Sequence, residues 1–169
     1  MLTTEFVRSI LRYEPETGKF FWLVNTQGRA NRAGGEAGHI NKRDGRVTIG
    51  WRGKLYFAHR LAFLWMGEQP PAIVDHKNRD PNDNRWENLR AATGSQNCAN
   101  KKLRSDNSHG SHGIRLDKNK AQLGRKKVWQ ARIVVNGQQI SLKYHETKER
   151  AAQAYAAAAK QYFGEFSPV

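Results

Sequence analysis

The sequence predicts an α+β fold in two parts. Three observations predict it. Two short strand-like runs, Arg46–Trp51 and Lys54–Ala58, are joined by the turn Arg52-Gly53. A second hairpin is written in Val128–Val135, Asn136-Gly137 and Gln138–Tyr144, and an alanine-faced helix over 148–163 follows it. Between the two parts lies a polar stretch, 102–112, with two His, three Ser and one Gly, which reads as a linker. The predicted organisation is residues 1–101, a linker over 102–112, and a second domain over 113–169.

The elements follow in order. Residues 3–12 predict a short helix capped by Thr3 or Thr4, with Phe6, Val7, Ile10 and Leu11 on one face. Pro15-Glu16-Thr17-Gly18 is a turn, and Lys19–Val24 a strand rich in aromatics. Residues 25–45 are Gly-rich, Asn-rich and basic. His59–Met66 predicts a helix ended by Gly67, before Pro70-Pro71. Ile73–His76 is a short apolar strand end, 77–84 a polar loop, and Ser95–Lys101 a helix capped by Ser95. In the second part Gly113–Leu116 is a strand, and Asp117 opens a basic loop running through Lys127. The final helix is capped by Thr147 and closed by Gly164, with Ala151, Ala152, Tyr155, Ala158, Ala159 and Tyr162 on one face. That second part therefore reads as three antiparallel strands packed on one helix.

Composition bounds the function. The chain has 169 residues, with 29 Lys+Arg against 15 Asp+Glu, a net charge of +14. Mean hydropathy is −0.82, so any core is modest. The charge is spread: 18 basic and 10 acidic residues over 1–105, 11 and 5 over 106–169. Both halves can therefore touch one long polyanion. A single cysteine, Cys98, excludes an intrachain disulfide and a Cys-rich zinc knuckle. No apolar stretch approaches a membrane span and no signal-peptide pattern opens the chain, which predicts a soluble, intracellular, cytoplasmic protein.

Chemistry concentrates in Ile73-Val74-Asp75-His76, Asn84-Arg85-Trp86-Glu87-Asn88-Leu89-Arg90 and Gln96-Asn97. Hydrolysis of a phosphodiester needs an activated water and neutralisation of the leaving oxygen. An imidazole takes a proton near neutral pH. A hard cation such as Mg²⁺ or Mn²⁺ needs few protein ligands, so one carboxylate and one amide oxygen suffice. Neighbours on a strand point to opposite sides, so Asp75 and His76 converge on one phosphate only if another segment folds over them; the helix bearing Asn97 is that segment's candidate. Asn88 is placed to orient the His76 ring. Other residues read as structural: Asn84 as a turn residue, His59 as a helix-start or core histidine, Asn100 as helix surface, Cys98 as a buried small residue. His39, His109, His112 and His145 read as loop residues.

The same run resembles the HNH endonuclease family, in particular its phage and intron-encoded homing branch, through Val74-Asp75-His76-Lys77, Asn84-Arg85, Asn88-Leu89-Arg90 and Gln96-Asn97. Upstream, Tyr13-Glu14-Pro15-Glu16-Thr17-Gly18 and Ala58-His59-Arg60-Leu61-Ala62 are similar to that branch, so the resemblance covers about residues 8–101. It implies a ββα-metal fold, one divalent cation, and a phage-type enzyme acting in its host cell. It also implies His76 as general base, Asn88 as the middle Asn of the motif, and Asp75 and Asn97 as metal ligands. Many members carry His where this chain has Asn97, so a soft-metal site is disfavoured.

Gly113-Ile114-Arg115, Trp129-Gln130-Ala131-Arg132-Ile133, Ala151-Ala152-Gln153-Ala154-Tyr155 and Phe163-Gly164-Glu165-Phe166 resemble the APETALA/ethylene-response-factor DNA-binding domain over about 108–167. That resemblance implies a three-stranded sheet laid in the major groove, with Arg115, Trp129, Arg132 and Lys143 as DNA contacts. Lys143 stands where the plant family usually has Gly. Alternation along 128–134 separates Trp129 from Arg132, so a bulge or a peripheral role for one of them is expected. Arg125-Lys126-Lys127 and Lys101-Lys102, with Arg104, are expected to meet phosphates. The partner predicted is double-stranded DNA, with no membrane and no protein partner. The rival readings are a noncatalytic DNA-binding regulator and an RNA-binding protein of ribosomal type.

Overall fold

The computed structural model describes residues 2–26 and 32–167, so part of the basic stretch 25–45 lies outside the described residues. By its internal contacts the chain divides into two bodies, Met1–Ala92 and Thr93–Val169. The division falls ahead of the polar stretch 102–112, which goes with the second body together with the helix that precedes it.

The first body begins with α1 (Thr4–Ile10), whose N-cap is Thr3: its Oγ1 accepts from the Phe6 amide at 3.2 Å. The helix stops earlier than periodicity suggests, because Leu11–Glu14 leaves it to form strand β1. Leu-Arg-Tyr-Glu alternates apolar and polar, and its Leu11 and Tyr13 are buried. It pairs antiparallel with β2 (Lys19–Trp22) across the Pro15–Gly18 turn, Tyr13 opposite Phe20. β3 (Glu36–Ala37) completes that sheet. A second sheet holds β4 (His39–Ile40), β5 (Val47–Trp51) and β6 (Lys54–Phe57). Helix α2 (Ala58–Met66) follows, and Gly67 closes it with φ +92 and the paired bonds Gly67 N–H to Leu64 O and Glu68 N–H to Phe63 O. The last pair is β7 (Val74–His76) and β8 (Leu89–Ala91), with a 3₁₀ turn at Trp86–Asn88 between them.

One core serves all of this. Val7, Ile10, Leu11, Tyr13, Phe20 and Trp22 from α1 and the first hairpin pack with Ile49, Leu61, Phe63 and Leu89. Full burial of each large apolar side chain stabilises by roughly 1.5–3 kcal/mol. The β7–β8 ladder thus rests on a core built largely from residues far upstream of it.

In the second body, α3 (Gly94–Ala99) is capped by Thr93, not Ser95. Thr93 Oγ1 accepts from the Gln96 amide while Gln96 Oε1 accepts from the Thr93 amide, a reciprocal box that Ser95 cannot offer from inside the helix. β9 (Ile114–Leu116), β10 (Trp129–Val135) and β11 (Gln138–His145) form an antiparallel sheet with β10 at its centre, and α5 (Lys148–Phe163) packs on it. Between β9 and β10 the expected basic loop contains a helix, α4 (Lys118–Gln122), nucleated by Asp117, whose side chain accepts from the Lys120 amide. On α5, Ala151, Ala158 and Ala159 are buried as expected, but Phe163 is buried and Tyr162 is exposed. Gly113 is fixed by its surroundings: at φ +63, a Cβ there would lie 2.3 Å from both Arg132 O and the Tyr155 ring. The fold class is α+β, as the sequence predicts.

Candidate active site

β7 and β8 present a charged pair and an imidazole to different neighbours. Asp75 lies opposite Arg90 in the ladder, and Arg90 Nε donates to Asp75 Oδ2 at 2.8 Å with both side chains nearly closed to solvent. His76, one residue on, reaches Asn84 and His59. His76 Nε2 lies 3.3 Å from Asn84 Oδ1, and the His59 and His76 rings meet edge to face at 5.4 Å. Asp75, His76, His59, Asn84 and Asn88 are all buried.

The His76–Asn84 bond fixes which ring nitrogen can act as base. Asn84 Nδ2 donates to Asn82 O at 3.1 Å, which orients the amide and turns Oδ1 toward His76. A carbonyl oxygen only accepts, so His76 carries its proton on Nε2 and its lone pair on Nδ1. Burial chiefly holds the His76 pKa below the usual histidine value, while the Asn84 bond and the Asp75 charge pull it back up. The ring is therefore neutral at physiological pH and able to accept a proton.

Asn88 does not hold this ring, contrary to the expectation from sequence. Its amide is committed to the loop between β7 and β8: Nδ2 donates to Asn78 Oδ1 at 3.0 Å and to Asp83 O at 2.7 Å, and Oδ1 accepts from the Asn78 amide at 3.0 Å. Asn88 ties the two ends of the loop together, and Asn84, read from sequence as a turn residue, meets the His76 ring. The loop is otherwise built of side-chain-to-backbone turns, Asn78 Oδ1 to the Asp80 amide and Asp80 Oδ1 to the Asn82 amide. Within it Asp83 is clamped by Arg85, whose hydrogen bonds hold the carboxyl below the usual carboxylate range.

His59 is a buried neighbour of the base. Its Nδ1 is enclosed without a hydrogen-bond partner, and its ring stacks on Phe57 at 5.3 Å. Burial first, then the charges of His76, Arg46 and Arg60, lower its pKa to about 3, against a small opposing effect of Asp44. The unfolded chain restores the ordinary value near 6.5, so below that pH the unfolded state binds a proton that the folded state refuses. Stability is full above about pH 6.5 and falls as pH drops toward 3, by about 2 kcal/mol between pH 7 and pH 5. Thermal melts across that interval should show His59→Leu losing less stability than the parent; an identical slope in both would dissociate His59 from the acid sensitivity.

The Asp75 carboxylate is of a kind that a hard cation accepts. Among the described residues no three of His, Cys, Asp and Glu gather into a metal cage. Asp75 offers one carboxylate, shared with Arg90, which fits Mg²⁺ or Mn²⁺ held mainly by water and phosphate oxygens and not a thiolate-type site. Asn97 stands on α3, in the second body, and its assignment as a ligand rests on the motif spacing. On the same body Cys98 is exposed and Asn100 is buried, the reverse of the sequence expectation for each: α3 turns Ala99 and Asn100 inward.

The DNA-contact residues expected in the second body separate by face. Arg115, Gln130 and Arg132 share the side of the sheet away from α5: Arg115 Nε donates to Gln130 Oε1 at 2.7 Å and Arg132 Nη1 to Gln139 Oε1 at 2.8 Å. Trp129 lies on the other side, packed with Ile114, Ala131 and Ala151 and set edge-on to His109 at 5.3 Å. Its indole is a packing residue, because the strand alternation sends it to the helix. No extra residue enters β10 between Trp129 and Arg132; the irregularity lies on the neighbouring strand, at Lys143. Gln130 pairs with Tyr144 and Arg132 with Ser141, so β11 carries an extra residue there, and Lys143 has φ +71. That left-handed bulge position explains why Gly suits it. Lys143, Arg125, Lys126, Lys127, Lys101 and Lys102 are exposed. All four histidines read as loop residues have partners: His39 Nε2 lies 3.2 Å from Thr48 Oγ1, His145 Nε2 2.9 Å from Leu142 O, His112 stacks on Tyr155, and His109 meets Trp129. No helix of the described residues is long and apolar enough to cross a membrane.

No curated protein matches the chain. A solved structure described as "DNA binding and cleavage by the HNH homing endonuclease I-HmuI" is similar at a TM-score of 0.44 and 20% identity, over 90% of this chain and 80% of that one. Residues 56–99, which run from the end of β6 to the end of α3 and contain Asp75, His76, Asn84, Asn88 and Asn97, match the family model described as HNH endonuclease, and that match marks an HNH endonuclease domain in this stretch of the chain.

Proposed function

We propose that this chain is a metal-dependent, site-preferring endonuclease of double-stranded DNA, of homing or phage type. The observation that carries this reading is the buried His76, its Nε2 directed at Asn84 Oδ1 and its Nδ1 left as the basic nitrogen, inside the stretch that matches the HNH endonuclease family. His76 Nδ1 takes a proton from water attacking the phosphorus. Asn84 holds the ring, and Asn88 holds the loop that carries Asn84. Asp75, and Asn97 by motif spacing, supply oxygen ligands. Held there, a divalent cation would supply charge neutralisation at the scissile phosphate and at the leaving oxygen. The net charge of +14 supports a polyanionic substrate.

The second body is proposed to anchor the enzyme on its target. The open face of its sheet, with Arg115 and Arg132, has the width and donors to read base edges in the major groove. Lys143, Arg125-Lys126-Lys127 and Lys101-Lys102 are assigned to phosphates. Arg132→Ala should weaken DNA binding and reduce the salt slope by about 1 if it touches a phosphate, or relax one base position if it reads a base. Unchanged affinity and specificity would remove Arg132 from the interface.

Supercoiled plasmid incubated with the protein tests the enzyme reading. Nicked or linear product with Mg²⁺ or Mn²⁺, and none with chelator, is the expected result. Retarded but intact DNA under both conditions would replace the nuclease by a noncatalytic DNA-binding regulator.

A further inference from the structure

We propose that Tyr13 is a positioning residue for His76, acting through Asn84, so that the N-terminal hairpin belongs to the catalytic apparatus. The inference rests on the nuclease reading for its role and on the first body alone for its geometry.

The hairpin β1–β2 lies outside the stretch that matches the family, yet it grips the backbone from Asn84 to Trp86 in three ways. The Tyr13 hydroxyl donates to Asn84 O at 2.6 Å in a buried setting. The Trp86 amide donates to Pro15 O at 2.9 Å. Gly18, at φ +73, lies flush on the same peptide: a Cβ there would be 2.4 Å from both Asn84 C and Arg85 N. A side chain at that turn is excluded both by the backbone conformation and by the approach. Asn84 in turn directs Oδ1 at His76 Nε2.

The pedestal is stiff. The Tyr13 ring stacks on Phe20 at 4.6 Å and meets Trp65 edge-on at 5.7 Å. Phenylalanine would fill this core position as well, so packing alone does not call for a hydroxyl. The hydroxyl's hydrogen-bond partner is Asn84 O, which places its effect on the amide that fixes the proton of the base. Without it, the Asn84 peptide is free to shift, and a displacement of a few tenths of an ångström is enough to weaken a 3.3 Å bond to the ring. The constraint that Asn84 places on the His76 tautomer then weakens, and the fraction of molecules with the proton on Nε2 falls.

The test uses the full chain with Tyr13→Phe, and Ile10→Val as a control that loosens the same core without touching Asn84. Two readouts are taken: the plasmid cutting rate at saturating DNA and Mg²⁺, and the ¹⁵N spectrum of the His76 imidazole. Tyr13→Phe is expected to lower kcat about tenfold with little change in KM, and to convert a ring protonated on Nε2 into a tautomer mixture. Ile10→Val is expected to leave both as in the parent. A parental tautomer in Tyr13→Phe, or a tautomer change as large in Ile10→Val, overturns the proposal. A parent that does not cut DNA refutes the nuclease reading, while the spectrum still decides whether Tyr13 positions the ring.

Discussion

His76→Ala is expected to reduce DNA cutting by about 10²–10⁴-fold, the contribution of a positioned general base, and to leave DNA affinity as it was. The two effects separate because the ring is 8% exposed and faces Asn84 and His59, whereas the basic side chains assigned to DNA lie on open surface. Removing the ring leaves Asn84 Oδ1 without its partner, at a stability cost of about 1–3 kcal/mol. The variant therefore needs a melt beside the cutting assay, so that lost activity is measured on folded protein. Asn84→Ala should share the kinetic defect in weaker form, since it frees the tautomer without removing the base. Full cutting by folded His76→Ala would take this residue out of the chemistry.

Asp75→Ala is expected to be the most destabilising single change in the site, by about 3–5 kcal/mol, because it removes the carboxylate that meets the Arg90 guanidinium in a buried setting. Loss of cutting in that variant cannot by itself identify a metal ligand. The double variant Asp75→Leu with Arg90→Met removes both charges together and should recover most of the stability, since an apolar pair of similar volume is tolerated where a lone charge is not. If Asp75 supplies a ligand oxygen, the recovered fold remains unable to cut. Restored cutting in the double variant would assign Asp75 a structural role alone. Urea or thermal unfolding and the plasmid assay, run on the same three proteins, decide between these outcomes.

The candidate residues were nominated from a linear spacing, and the shared strand of Asp75 and His76 was legible in it. Asp75, His76, Asn88 and Asn97 fall within one short run, and strand alternation alone separates the neighbours Asp75 and His76, as their different partners now bear out. The exchange of roles between Asn84 and Asn88 was not legible. Both are amides in a polar loop, and only the path of the backbone decides which one reaches the ring and which ties off the loop. The hairpin under the site was missed for a related reason. Leu11–Glu14 alternates as a strand should, but it follows α1 without a break, and the helical pattern of Val7, Ile10 and Leu11 runs into it. Asn100 and Cys98 came out inverted because a six-residue helix carries too few turns for periodicity to set its rotation. In the second body, alternation placed Trp129 and Arg132 on opposite faces from sequence alone. Position 143, by contrast, needed a register shift that local pattern does not encode.

His76 is expected to stand as a neutral imidazole with its proton on Nε2. The ¹⁵N spectrum of that ring in the unmodified protein at neutral pH measures this directly. One protonated nitrogen assigned to Nε2 and one bare nitrogen assigned to Nδ1 is the predicted result. A proton on Nδ1, or a doubly protonated ring, would contradict it.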